Sequence, residues 1–391
     1  MFEGQTSAAD VLPPQKKQLE RFFLVQKWSF GGVGIDPTSL NCAIYSHALL
    51  WIPLIGMISV VVPSFLFAKN YSADLNEACR ILTPILQCVL ATLKLFMFLW
   101  QRKKIVYLVR QVWFWNLRIS LCYYCSAMVS SLMAVLIPVV VAAFFAWKGH
   151  NFWESLDPPF KGVYLMDIHE TYFGYIFALA WDVLAMYCVV NASIGIDSLY
   201  GWFMRNIVGH FRILILRLQH LAQSDWGVAN ASEEHFRKSF SECIQYHLRV
   251  LKLVESFDNV YKYIVFLKFL ISSLQIAIII FQFPTTKEIA FLVMNVSFIT
   301  SVAIQLMLYC HAGQRIKDMS GDVTFTIYEA FQWPDFSIKL IKLLLFPMIR
   351  SQKKCCFTGV FFEVDLNLFV WVFRLAGSFM TMMLSLYENN D

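Results

Sequence analysis

Apolar residues in this chain run in long unbroken stretches, and seven of them are long enough to cross a bilayer as helices. Crossing the hydrocarbon core takes roughly 20 apolar residues. The stretches are 41–68, 81–100, 119–147, 171–196, 263–283, 289–310 and 366–387. Four carry one charge each: Lys94 in the second, Asp182 in the fourth, Lys268 in the fifth and Arg374 in the seventh. Several exceed the minimum, which allows tilt or protrusion beyond the membrane. The pattern predicts an all-α, seven-transmembrane helical membrane protein.

Two long polar segments, 200–262 and 311–360, interrupt the spans and keep helical periodicity. Phe211, Leu214, Ile215, Leu218 and Leu221 recur against Arg212, Arg217 and Gln219, and 236–254 repeats the pattern. Between them, Ser224-Asp225-Trp226-Gly227 reads as a turn, and Ser232 followed by Glu233 and Glu234 as a helix start. Beyond Pro334, 336–345 is another amphipathic stretch. These segments are expected to extend the bundle as helices and offer a docking surface. A helix lying on the membrane surface is the alternative.

Lys and Arg counts orient the spans. Arg102, Lys103, Lys104, Arg110 and Arg118 follow the second span without an acid. Arg205, Arg212, Arg217, Arg237, Lys238, Arg249 and Lys252 separate the fourth from the fifth. Arg315, Lys317, Lys339, Lys342, Arg350, Lys353 and Lys354 precede the seventh. The opposite loops are short or balanced by acids. This places the N-terminus in the cytoplasm, the C-terminus outside and the helical extensions inside. G-protein-coupled receptors have the reverse topology, and their triplet after the third span and Asn-Pro-x-x-Tyr in the seventh are missing here. The sequon Asn70-Tyr71-Ser72 falls in the first external loop, a candidate glycosylation site at Asn70. The first forty residues are polar and mixed in charge, without the apolar core of a signal peptide, so the first membrane helix is expected to direct targeting.

Composition agrees. Hydrophobic residues make up 58% and charged residues 15%, against about 25% charged in soluble domains; mean hydropathy is +0.56. The net charge of +5 forms no basic patch interleaved with aromatics, which argues against nucleic acid as a partner. Ten cysteines lie scattered in apolar stretches and read as buried thiols.

No enzyme constellation can be assembled. Cys122-Tyr123-Tyr124-Cys125 has no second pair, Cys355-Cys356 lack neighbouring His ligands, and His235 is not in HExxH spacing. Gly31-Gly32-Val33-Gly34 lacks a phosphate-loop frame. Neither a metal site nor a cofactor is expected. The charges inside the spans each cost roughly 2.5–3.5 kcal/mol at a helix centre. Lys94, Lys268 and Arg374 are close enough to the inner side to snorkel. Asp182 lies roughly 16 Å from the outer start of its span. It reads as a partner of Lys268 or Arg374, as a hydrogen-bonded interior carboxylate, or as a polar element beside a ligand pocket or ion path.

The most specific pattern is C-terminal. It comprises Tyr309-Cys310-His311-Ala312-Gly313-Gln314-Arg315-Ile316-Lys317-Asp318, Ile327-Tyr328, Trp333, Met348-Ile349-Arg350-Ser351-Gln352-Lys353-Lys354, Phe357-Thr358-Gly359, Phe361-Phe362 and Ser378-Phe379-Met380-Thr381-Met382-Met383. In order and spacing it resembles the insect odorant receptor family, as does Gly34-Ile35-Asp36-Pro37 ahead of the first span. The family more often has Tyr at the position of Phe379 and Pro at that of Lys354. The resemblance implies an odorant-tuning subunit of a heteromeric, ligand-gated, nonselective cation channel, a tetramer with the shared coreceptor, Orco. It implies the plasma membrane of an olfactory dendrite as the location. The chain thus divides into a cytoplasmic segment 1–40, six spans over 41–310 with the insertion at 200–262, a segment 311–360 that the resemblance makes an anchor, and 361–391, which it makes a pore-lining helix with a short tail. The family's aliphatic constriction matches Met382, and its polar residue one turn outward matches Ser385.

The seventh span can also be read locally. Ser378, Met382, Ser385 and Asn389 share one helix face, small or polar with one large apolar side chain. Such a face suits a wetted path with a constriction or helix packing through small residues. A small volatile, mostly apolar ligand needs shape, aromatic walls and one or two polar contacts, expected among the outer halves of helices two to six. Helical spacing nominates Ile137 and Val141 in the third span, with Pro138 as a kink. In the fourth it nominates Tyr172, Phe173, Tyr175, Ile176 and Phe177. In the sixth it nominates Phe291, Met294, Asn295 and Phe298. Core packing or lipid contact is the competing reading of each. A gustatory-type channel and a secondary transporter are the alternative functions; the Thr-Tyr…Gln-Phe ending of the first and the internal repeats of the second are not found.

Overall fold

The computed structural model describes residues 28–31, 44–70, 75–111, 118–148, 172–223, 231–285 and 288–388. Its helices are α1 (Ile44–Asn70), α2 (Leu75–Trp100), α3 (Arg102–Gln111), α4 (Arg118–Trp147), α5 (Tyr172–Gln223), α6 (Ala231–Thr285), α7 (Ile289–Ala330), α8 (Ile338–Gln352) and α9 (Leu366–Glu388). Among the described residues α1, α2, α4, α5, α6, α7 and α9 are long and apolar enough to cross a membrane. They hold the seven expected stretches in order.

Where the hydropathy pattern separates a span from an amphipathic extension, the backbone does not. α5, α6 and α7 contain 52, 55 and 42 residues, about 78, 82 and 63 Å at 1.5 Å per residue. A bilayer core is about 30 Å thick, so more than half of each helix continues beyond it. No proline interrupts α5 or α7. Ser337 caps α8, its hydroxyl accepting from the Leu340 N–H at 3.5 Å. The end of the bundle where α5 finishes and α6 begins carries most of the lysines and arginines and is termed the basic end; the opposite one is the far end.

Packing is tight in the middle and at the basic end. Residues 191–204 of α5 are all buried, against α7 above all and against α2 and α6. An aromatic stack fills this zone: Tyr200 lies on Tyr309 with ring centres 4.1 Å apart, and Phe257 meets Tyr261 at 4.6 Å and Phe203 at 5.0 Å. Along the spans large apolar side chains are exposed, among them Trp51, Ile52, Phe65, Val140, Phe173 and Val293. Apolar side chains exposed on several spans belong in lipid.

The part of the C-terminal signature between α8 and α9 folds into a small knob. Thr358 bridges to Glu363, the Gly359 N–H donates to the Phe362 carbonyl at 2.8 Å, and the Val364 N–H to the Phe357 carbonyl at 2.8 Å. Val360 turns the chain with φ 65°. Asp258 of α6 accepts from both the backbone N–H and the hydroxyl of Thr358, at 2.8 and 2.9 Å. Phe357 packs edge-on to Phe257, and Phe362 against Phe269. Asp365 caps α9 by accepting from the Leu368 N–H at 3.0 Å.

Lys317 of α7 clamps this knob, reaching Glu363 at 3.0 Å and Asp365 at 3.1 Å. Hydrogen bonding from Lys317, and then from Cys356, holds the Glu363 carboxyl below its ordinary 4.5. Burial pushes Asp365 up, but the Leu368 N–H and Lys317 outweigh it and leave that carboxyl below 3.8. Both folded values are depressed, so the clamp stabilises fully above the ordinary carboxylate range and is lost as pH falls through the folded values. Thermal stability in detergent should therefore be flat from neutral pH down to about 5 and fall below about 4. Lys317→Met should lower the neutral-pH value and flatten the acid limb; an acid limb identical to that of the parent chain would contradict the assignment.

Candidate functional site

One polar group ties four spans together. Lys94 (α2), Asp197 (α5), Lys268 (α6), Gln305 (α7) and Tyr309 (α7) are each 3% exposed or less. The Lys94 ammonium meets both Asp197 oxygens, at 2.7 and 2.9 Å. The Tyr309 hydroxyl donates to Asp197 at 2.5 Å. The Gln305 amide nitrogen also donates to Asp197, and its oxygen accepts from Lys268. A buried ion is tolerated only when paired and hydrogen-bonded, and this carboxylate accepts four hydrogen bonds from three donors, Lys94, Gln305 and Tyr309.

This corrects the reading of Lys94 and Lys268 as snorkelling residues. Both point inward and are fully buried, because a carboxylate at the same depth offers more than a long reach to the interface. Asp197 went uncounted because the apolar run was closed at Ile196, one residue short. Two bases and one acid at similar depth in different spans were the signal that could have found the group. Asp182 is also fully buried, while Lys268 is committed to Gln305 and Arg374 is exposed.

Above this group toward the far end, a line of polar contacts joins α2, α6 and α7. Arg80 donates to Glu288 at 3.0 Å and lies over the Phe291 ring at 4.3 Å. Asn295 donates to the Gln282 side-chain oxygen at 2.9 Å. The Gln275 amide nitrogen reaches the Thr83 carbonyl and the Gln87 side-chain oxygen, at 3.4 and 3.3 Å.

The nominated ligand residues divide by helix face. Phe291, Met294 and Phe298 are half-buried on α7 and Asn295 is buried; Phe298 packs on the main core. Tyr175 is buried beside Ala142, and Ile137 and Val141 are half-buried on α4. Phe173, Ile176 and Phe177 are exposed, 79%, 42% and 67%, and Phe177 stacks on Trp181. The structure brings Tyr175 and α4 together but turns those three α5 residues to the outside of this chain. The Tyr172, Pro138 and Asn70 side chains lie outside what is described, as do 34–37, the turn at 224–227 and Asn389.

On α9, Val372 and Ala376 are buried while Ser378, Met382 and Ser385 are exposed. Thr381 and Ser385 turn their hydroxyls back onto the helix carbonyls of Ser378 and Met382, at 2.8 and 2.9 Å. The helix therefore packs by one face and leaves the small, polar one uncovered by its own chain. Among the described residues no group of three His, Cys, Asp or Glu side chains is placed to hold a metal.

Residues 110–377 match the family model described as 7tm Odorant receptor. Odorant receptor 9a of Drosophila melanogaster is 27% identical over 95% of this chain and 97% of its own length. Odorant receptor 45a of the same species is 23% identical over 93% and 98%. The fold is similar to that of the insect olfactory receptor OR5 from Machilis hrabei, with a TM-score of 0.78 at 13% identity over 95% of this chain and 99% of that one. The same receptor in complex with eugenol gives 0.77 at 12% identity.

Proposed function

This chain belongs to the 7tm odorant receptor family, a family of multi-pass membrane receptors rather than enzymes, and from that premise we propose that it is the odorant-tuning subunit of a ligand-gated cation channel. In this reading the basic end lies in the cytoplasm and the far end outside, at the plasma membrane of an olfactory dendrite. The chain assembles with Orco coreceptor subunits as a tetramer, its anchor segment 311–360 contributing to subunit contacts. A small volatile ligand binds among the far-end halves of helices two to six. The eugenol complex of OR5 supports a small-molecule ligand for this fold.

The observation that carries the channel reading is the uncovered α9 stripe of Ser378, Met382 and Ser385. In a single chain it would be a small-residue face left without a helix partner. Around a shared axis it lines a wetted path with Met382 as its constriction. Met382→Ala in the coexpressed channel should change unitary conductance and leave odorant sensitivity in place. Phe298→Ala should shift odorant sensitivity and leave conductance in place. Conductance untouched by Met382→Ala would remove the pore assignment.

A further inference from the structure

The polar contacts above Asp197 form a continuous seam. Lys268, Ser272, Gln275 and Gln282 recur at i, i+4, i+7 and i+14 on α6, and Arg80, Thr83, Gln87 and Lys94 at i, i+3, i+7 and i+14 on α2. Each set shares a helix face. Phe291, Asn295, Gln305 and Tyr309 share one on α7. The three faces meet, since Arg80 bonds Glu288, Gln282 bonds Asn295 and Gln275 bonds Thr83 and Gln87.

Buried polar atoms of Arg80, Ser272, Gln275 and Gln282 are left over along this seam, and Ser272 with Gln275 offers a donor and an acceptor within one helical turn. Ser272 and Gln275 are both fully buried, and among the described residues the Ser272 hydroxyl and the Gln275 side-chain oxygen have no hydrogen-bond partner. The orientation of the Gln275 amide is chemically fixed, because the Thr83 backbone carbonyl can only accept and so faces the amide nitrogen. What remains is an acceptor that needs a donor, one helical turn from a hydroxyl that can donate. Buried polar groups are otherwise almost always satisfied.

We propose that Ser272 and Gln275 form a recognition site for the hydroxyl of a small amphiphile, an alcohol or phenol whose carbon body lies along the surrounding aliphatic helix surface. The ligand O–H donates to the Gln275 oxygen, and its oxygen accepts from Ser272. A ketone or aldehyde of the same skeleton can only accept. It satisfies Ser272 and leaves Gln275 stranded, which is the more discriminating kind of loss. Asn295, Gln282 and the Arg80–Glu288 pair continue the seam to the far end, where a ligand would enter. The inference rests on the chain being a ligand-gated receptor and adds the chemical class it selects.

The test is a dose–response comparison on the full chain coexpressed with the coreceptor, using matched pairs such as 2-heptanol with 2-heptanone and 1-phenylethanol with acetophenone. In the parent channel the most potent alcohol should surpass its ketone by about tenfold or more in half-maximal concentration. Gln275→Leu should collapse that ratio toward one by weakening the alcohol alone. The nearly isosteric Ser272→Ala should weaken both members together and keep the ratio. Surface labelling separates these outcomes from misfolding. Ketones equal to their alcohols in the parent channel, or a ratio that survives Gln275→Leu, would overturn the hydroxyl site while leaving the receptor reading intact. Silence of a surface-expressed complex toward every odorant class would overturn the receptor reading itself.

Discussion

Asp197→Asn is expected to cost the folded chain about 3–5 kcal/mol, enough to remove most of it from the cell surface. The substitution keeps size and hydrogen-bonding capacity but deletes the carboxylate that meets Lys94. The Lys94 ammonium would then be buried without its counter-charge. Taking out one member of a buried ion group is far worse than replacing it as a whole, since well-packed apolar substitutes are often neutral or stabilising. The double change Lys94→Met with Asp197→Leu should therefore recover part of the loss, leaving Lys268 on Gln305 as the residual cost. Thermal unfolding of purified protein and surface labelling both read this. Normal surface levels and an unchanged melting temperature for Asp197→Asn would mean that the group does not hold the four helices together.

Gly313→Ala should be comparably severe, at about 3 kcal/mol or more. A Cβ added at Gly313 would lie 2.0 Å from the Val364 carbonyl oxygen and 3.0 Å from its carbon. Both are backbone atoms with little freedom. Val364 is held by its bond to Phe357, and the adjacent Asp365 both caps α9 and meets Lys317. The clash must be relieved by lifting the knob off α7, which also moves the start of α9. Two other glycines serve as controls. At Gly201 a Cβ meets only the end of the Leu308 side chain at 3.2 Å, and at Gly209 it meets nothing within 4 Å. Gly201→Ala should be mild, and Gly209→Ala neutral or stabilising by up to about 1 kcal/mol, since alanine favours a helix interior. Equal melting temperatures for the three variants would refute this account of Gly313.

The glycine also illustrates what the sequence could and could not convey. Gly313 stood out as part of a C-terminal pattern, but its reason, a backbone passing at contact distance, exists only in three dimensions. The spans were legible because lipid imposes length and apolarity on every crossing; the expected start at 289 and the starts of α5 and α9 agree with the helices to within a residue. The charges inside them were misread because each was weighed within its own helix. Lys94 and Lys268 each looked able to reach the interface, and only their shared depth with Asp197 shows why neither does. Helix faces were partly legible. On α7 the spacing of Phe291, Asn295 and Phe298 selected the packed side, whereas on α5 adjacent residues were taken together although a helix turns Tyr175 one way and Phe173 and Phe177 the other. Which side of an apolar helix faces lipid is decided by its neighbours, and an apolar stretch without polar markers carries little record of them.

The local chemistry of α9 complements the four-helix group. Asp197 and its partners fix α2, α5, α6 and α7 as a frame, and the knob held by Asp258 and Lys317 sets the start of α9 upon that frame. In the proposed channel a ligand acts on the far-end halves of the frame, and α9 responds through its packed face while its polar face lines the path.

The most direct test of that account is whole-cell recording of odorant-evoked current from cells expressing this chain with the coreceptor, beside cells expressing either alone. The account predicts a dose-dependent cation current with both subunits, whose odorant profile changes with substitutions in this chain. Odorant-gated current from this chain without the coreceptor would contradict the tuning-subunit role. Absence of any odorant-gated current from a surface-expressed pair would contradict the channel reading as a whole.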